Sequence, residues 1–275
     1  MSRKRKPFTS YLDDAPAWWI DAFELYQRSP ATAFLSETVH LSDAINHCVR
    51  SFKKRQDGNY TKDSQDSIHR LSAAALAAIM GHFEMFQRFL FAGSLEATRL
   101  IPAFNIAQCC SKLEKSSGLS IDVGRLAGYR GRPAPIGQVI ADNLPDWHQP
   151  DRVNAHFRTV VPEVNLYSND NCEELRVLWQ LRHSIVHTAG WLTDPDAQKV
   201  RELGAFGGKP IVLGDEFVPA AARRLHLIVV PATDRLGAKL TDLLPEDLEQ
   251  DEQNEVEELF KVETPRRSWL PEGRA

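Results

Sequence analysis

The segment Arg182-His183-Ser184-Ile185-Val186-His187 gathers three side chains suited to proton and phosphate chemistry. A guanidinium keeps its proton in any protein setting, while imidazole titrates near neutrality. Together they offer a fixed cation beside groups that exchange a proton at physiological pH. At about 100° per residue, Leu175, Leu178, Trp179, Leu181, Ile185 and Val186 fall on one apolar arc of a helix over residues 171–191. Arg182 falls in the middle of that arc, where a charge costs on the order of several kcal/mol unless a carboxylate, a subunit boundary or an anionic ligand meets it. His183 and His187, at i and i+4, share the polar edge beside the arc with Arg176 and Gln180. Gly190 is placed to end the helix, which leaves His187 in the last turn, where the helix dipole favours imidazolium.

The elements that must position this helix are themselves helical. Residues 16–28 and 42–54 read as amphipathic helices, and residues 1–60 as an N-terminal helical extension packed on the main domain. From Thr61 or Ser64 as N-cap, a long helix runs to Phe91 with Leu76, Ile79, Met80, Phe83, Phe86 and Leu90 as its stripe, and Gly93-Ser94 ends it. Residues 95–115 give a second helix bent at Pro102, and residues 118–150, rich in glycine and proline, form a loop-rich insertion with only short helical pieces. In that insertion Arg125, Tyr129, Arg130 and Arg132 interleave an aromatic ring with cations, a composition that holds phosphates and stacks on a base, although loops also carry arginine for solubility alone. Residues 151–161 read as a helix capped by Asp151. After Trp191 come a short helical segment at Thr193-Asp194-Pro195, an extended piece at 209–214, and a last long helix over 217–244 that Pro231 kinks or splits. Residues 246–275 are acidic and read as a solvated tail or frayed helix. The architecture expected is all-α, a bundle of antiparallel long helices occupying residues 61–245.

Composition narrows the function. The chain has 275 residues, 43% hydrophobic and 25% charged, with a formal net charge of -4, so no overall basic field holds nucleic acid and any RNA contact is local. Arg3-Lys4-Arg5-Lys6 is a basic tip, read first as a solvated terminus. The four cysteines show no C-x-x-C layout and no secreted framework, and no apolar run approaches the roughly 18 residues of a membrane span, so a cytoplasmic location without membrane partners is expected.

With the segment in its helix, an acidic Glu173-Glu174 pair upstream and Gly190-Trp191 closing it, Arg182 through His187 resembles the signature of the HEPN superfamily: an arginine, a polar residue and, a few positions on, a histidine. The order of helices on both sides is similar to that family too, in particular to HEPN proteins of the RiboL-PSP and MAE kinds. The resemblance implies a HEPN-like bundle and a metal-independent endoribonuclease without cofactor, acting in defence or toxin-type growth control. It implies a homodimer that brings two signatures into one cleft, with RNA as substrate and an antitoxin or defence partner as a further possibility. Arg182 and His187 then carry catalysis. His183 takes the polar position that orients them, and Glu84, beside Phe83 on the first long helix, becomes a candidate partner for Arg182. Arg176 joins the loop arginines as a candidate RNA contact.

Three other readings stay open. Arg182 could be tied to Glu84 or Glu174 in a buried bridge, with surface histidines of no special role. The i, i+4 histidines also match zinc-ligand spacing, but Ser184-Ile185-Val186 brings no glutamate and Arg182 repels a cation, so no metal is expected. The fold could also serve as a non-catalytic binding or regulatory module acting with a partner protein. No P-loop, dinucleotide fingerprint or nucleophile elbow appears.

Overall fold

The computed structural model describes residues 7–14, 16–128 and 135–271 and is mostly helical, as the all-α expectation requires. Its centre is the helix α3, Lys62–Ala97, opened by the Thr61 hydroxyl accepting from the Ser64 amide. Ile68, Leu76, Ile79, Met80, Phe83, Phe86 and Leu90 recur at helical spacing along it and are all buried. The predicted stop at Gly93-Ser94 is not one. A β-carbon on Gly93 would lie 2.4 Å from Leu259 Cδ1, so glycine is there to seat a distant helix, and α3 continues through Ala97.

Around α3 the chain wraps both of its ends. Helix α1, Ala17–Arg28, and helix α2, Pro30–Arg50, pack on α3, and α2 puts Ala31, Phe34 and Leu35 fully inside. The N-terminal segment is therefore part of the core, not an extension laid on it, because its apolar residues meet Phe83 and Phe86 directly. The first helix falls where the sequence places it, while α2 begins at Pro30, well before the predicted residue 42.

Helix α4, Ile106–Ser117, packs on α7, Pro150–Val160. Between them, the insertion holds α5, Val123–Gly128, and α6, Ile136–Asn143. Helix α6 lies so tightly along α3 that a β-carbon at Gly137 would meet the Ala92 carbonyl oxygen at 2.3 Å. Helix α8, Asn169–His187, carries the signature and packs on α3 and α7. Its exit runs into the strand β1, Trp191–Leu192, then α9, Asp194–Gln198, and a 3-10 turn over Arg201–Phe206. The strand β2, Lys209–Pro210, returns antiparallel, with Trp191 opposite Pro210. Helix α10, Phe217–Thr241, packs on α2 and α3 and passes through Pro231 without ending.

The acidic end is not a free tail. A capping box of Glu249 and Glu252 starts α11, Gln250–Leu259, whose Val256 and Leu259 are buried against α1 and α3. Beyond it the Ser29 and Thr32 hydroxyls donate to the Lys261 carbonyl, Thr264 bonds the buried His226 ring at 3.0 Å, and Arg266 pairs with Asp43 at 2.6 Å. Trp269 sits buried, edge-on to His226. Acidic composition hid this small set of apolar anchors. Among the described residues no helix is long and apolar enough to cross a membrane.

Candidate active site

The approach to α8 is held from three sides. Asn154 of α7 donates to the Tyr167 carbonyl at 2.9 Å and accepts from its amide at 2.8 Å, and Arg235 of α10 donates to the Leu166 carbonyl at 2.9 Å. From α3, Gln87 donates to the Tyr167 hydroxyl at 3.1 Å, and burial keeps that phenol protonated far above its ordinary range. Ser168 then caps the helix by accepting from the Asn171 amide. Leu175 and Trp179 bury the first turns against α3, with the Trp179 ring 6.3 Å from Phe83.

At the other end α8 closes with Ala189 and Gly190 in left-handed conformations, φ 53° and 82°. The Gly190 amide bonds back to the Ser184 carbonyl at 2.9 Å, and the Ile211 amide bonds the Gly190 carbonyl at 2.7 Å. The helix ends at His187 with Thr188 as its C-cap, so the left-handed position that follows the cap falls to Ala189, one residue before the expected Gly190, and the β1/β2 pair pins the exit.

On this frame His183 and His187 are both exposed, their rings 4.7 Å apart and tilted by 41°. Partial desolvation, then the neighbouring His187 charge, hold the His183 pKa below the ordinary imidazole range, with Asp196 opposing the shift and Lys199 and Arg182 adding to it. His183 is thus mostly neutral at pH 7. Arg182 is partly buried, and it forms no ion pair or hydrogen bond with any described residue. Its Nε is closed off from solvent without an acceptor, a loss of about 1–3 kcal/mol for an ordinary donor. Trp179, one turn earlier, also keeps its Nε1 buried without a hydrogen bond among the described residues.

Neither expected carboxylate meets Arg182. Glu84 is paired with Arg88 at 2.6 Å, which also lies 3.6 Å from Asp142. That i, i+4 partner on the same helix satisfies Glu84 locally and takes it out of the candidate site. Glu174 pairs with Arg224 of α10 at 3.0 Å. The apolar arc also differs from the expectation near Arg182: Leu175, Trp179 and Leu181 are buried, Leu178 and Ile185 partly so, and Val186 is 48% exposed. Arg182 therefore lies where the helix passes from core to surface.

The remaining candidates divide. Arg176 lies on the histidine side of α8, but its guanidinium is engaged by Asp151 at 2.5 Å. Tyr129, Arg130 and Arg132 lie outside the described residues, and of the Arg125 side chain in α5 nothing is described. Sequence reasoning did not single out Asp196 or Lys199, and it used Trp191 only as the close of the segment. Asp196, nearly buried, holds Lys199 at 2.7 Å and the Thr193 hydroxyl at 2.8 Å, and both charges act on His183. Trp191 is half exposed just past the helix end. The only sequence signal for them was proximity to the signature, since α9 reaches α8 through a turn.

Among the described residues no three His, Cys, Asp or Glu are grouped so as to hold a metal ion. Comparison of the chain with family models, curated proteins and solved structures found no match.

Proposed function

We propose that the chain is a metal-independent endoribonuclease of the HEPN kind, with its site at the C-terminal end of α8 and a second copy completing the cleft. The observation that carries this reading is Arg182, without an ion pair among the described residues, one residue before a closely spaced, solvent-facing histidine pair. A guanidinium without a carboxylate at the core's edge is a cost with no structural return in the single chain, and its charge is free to be met by a phosphate at the side chain's exposed edge. In this mechanism His187 takes the proton of an RNA 2′-hydroxyl, whose oxygen attacks the adjacent phosphorus. Arg182 stabilises the extra negative charge on the phosphorane-like transition state. The bond from phosphorus to the 5′-oxygen breaks, that oxygen takes a proton from water, and the products end in a 2′,3′-cyclic phosphate and a 5′-hydroxyl. His183, mostly neutral, orients its neighbour, and the exposed Trp191 face offers a base a surface on which to stack.

Growth control or defence against invading nucleic acid is the setting the resemblance suggests, with an antitoxin as possible partner. The test is incubation of the pure protein with mixed-sequence RNA in EDTA, followed by end-group analysis. Products bearing 2′,3′-cyclic phosphates support the reading. Intact RNA at micromolar protein leaves the non-catalytic partner-binding module as the better account.

A further inference from the structure

A cleft of about 520 Å³ runs between α8 and α10 on the far side of the signature helix from the histidines. Its floor is apolar, formed by Val177, Leu178, Leu181, Phe217 and Ala221. Its rim is acidic: Asp170, Glu173, Glu174 and Glu202 against the single cation Arg224. Glu174 and Glu202 have cationic partners in Arg224 and Arg201, while Asp170 and Glu173 have no ion pair among the described residues. An acidic-rimmed apolar trough selects a segment that joins positive charge to large apolar side chains.

The chain carries such a segment at its own start. Arg3-Lys4-Arg5-Lys6 is followed by Phe8, Tyr11 and Leu12, which are 93, 69 and 76% exposed. Among the described residues none covers these side chains, and the 3-10 turn Phe8–Tyr11 buries no residue. Helix α1, to which this arm leads, packs on α2, α3 and α11, whereas the cleft belongs to α8 and α10. We propose that the cleft between α8 and α10 receives the N-terminal arm, residues 3–12, of a second copy of this chain. Phe8, Tyr11 and Leu12 fill the trough, and the basic residues meet Asp170 and Glu173 at its rim. The inference is independent of the nuclease reading.

Inter-copy cross-linking of the full chain tests it. Phe8→p-benzoylphenylalanine is made in isotopically light protein and mixed with heavy protein, irradiated, and mapped by mass spectrometry. Light-to-heavy cross-links from position 8 to α8 and α10 around Leu178 and Phe217 are expected. They should be lost with Ala220→Arg, which sets a cation on the exposed edge of the cleft, and weakened by Glu173→Lys and by raised salt. Unchanged thermal melts confirm that these surface variants fold. Absent cross-links, cross-links only within one copy, or cross-links indifferent to both cleft variants overturn the proposal. So does sedimentation with anionic phosphatidylserine vesicles in place of inter-copy cross-linking, which would make the arm a lipid anchor.

Discussion

The two ends of helix α8 are built to opposite rules. Over its first turns the long side chains are tied down: Arg176 meets Asp151, Glu174 meets Arg224, and Leu175 and Trp179 close against α3, with only the acidic Asp170 and Glu173 left without an ion pair among the described charged groups there. Over its last turns Arg182 has no ion pair or hydrogen bond among the described residues, His183, Val186 and His187 face outward, and a left-handed Ala189 stands in the exit. One helix thus spends its N-terminal half on stability and leaves its C-terminal end unsatisfied, which is where chemistry needs groups free to engage a substrate.

Substitutions at the two ends should separate most widely in stability. Leu175→Ala removes a fully buried side chain and should cost about 2–5 kcal/mol in urea unfolding, whereas Val186→Ala should stay within about 0.5 kcal/mol. Equal losses would erase the contrast. The same division applies to histidines. His226 is fully buried, and burial pushes its pKa down to about 4 from 6.5, while the Ala222 carbonyl holds its Nδ1 at 2.9 Å. Between those values the unfolded chain binds the proton and the folded chain does not, so stability is complete above 6.5 and falls as pH drops toward 4. The loss from this one group is roughly 3 kcal/mol, at about 1.4 kcal/mol per unit. In His226→Gln the dependence of unfolding free energy on pH should flatten across that window, and an unchanged slope would assign the acid sensitivity elsewhere. The smallest effect is the most diagnostic. Arg182→Met should leave stability unchanged or raise it by about 1 kcal/mol, because a desolvated donor without an acceptor is removed. A loss above about 3 kcal/mol would reveal a structural partner and close the case for a functional arginine.

Much of this was legible in the sequence, and most of the failures trace to contacts between distant residues. Thr61 as cap, the stripe of α3, the place of α1, the short helices of the insertion and, to within one residue, the left-handed exit of α8 all follow from local spacing and capping. Gly93 misled because its role is set by Leu259, far along the chain, whose side chain occupies the space a β-carbon would need. The acidic end misled because two buried residues, Val256 and Leu259, anchor a helix whose other positions are charged or polar. Glu84 misled in the opposite direction. Its partner Arg88 stands at i+4, a pairing open to inspection, yet a more distant arginine was preferred. Asp196 and Lys199 were out of reach because only the turn after β1 brings α9 to the histidines. Local rules located the elements, and contacts between distant residues decided which polar groups remain free.

The central claim is that the open end of α8 cuts RNA without a metal. The direct measurement is the rate of RNA cleavage in EDTA by the intact chain beside His187→Ala at matched folding, each read by thermal melt and circular dichroism. The account predicts EDTA-insensitive cleavage that falls by at least about a hundredfold in His187→Ala, the scale of a lost general base. Cleavage that survives His187→Ala undiminished, or that EDTA abolishes, would contradict it.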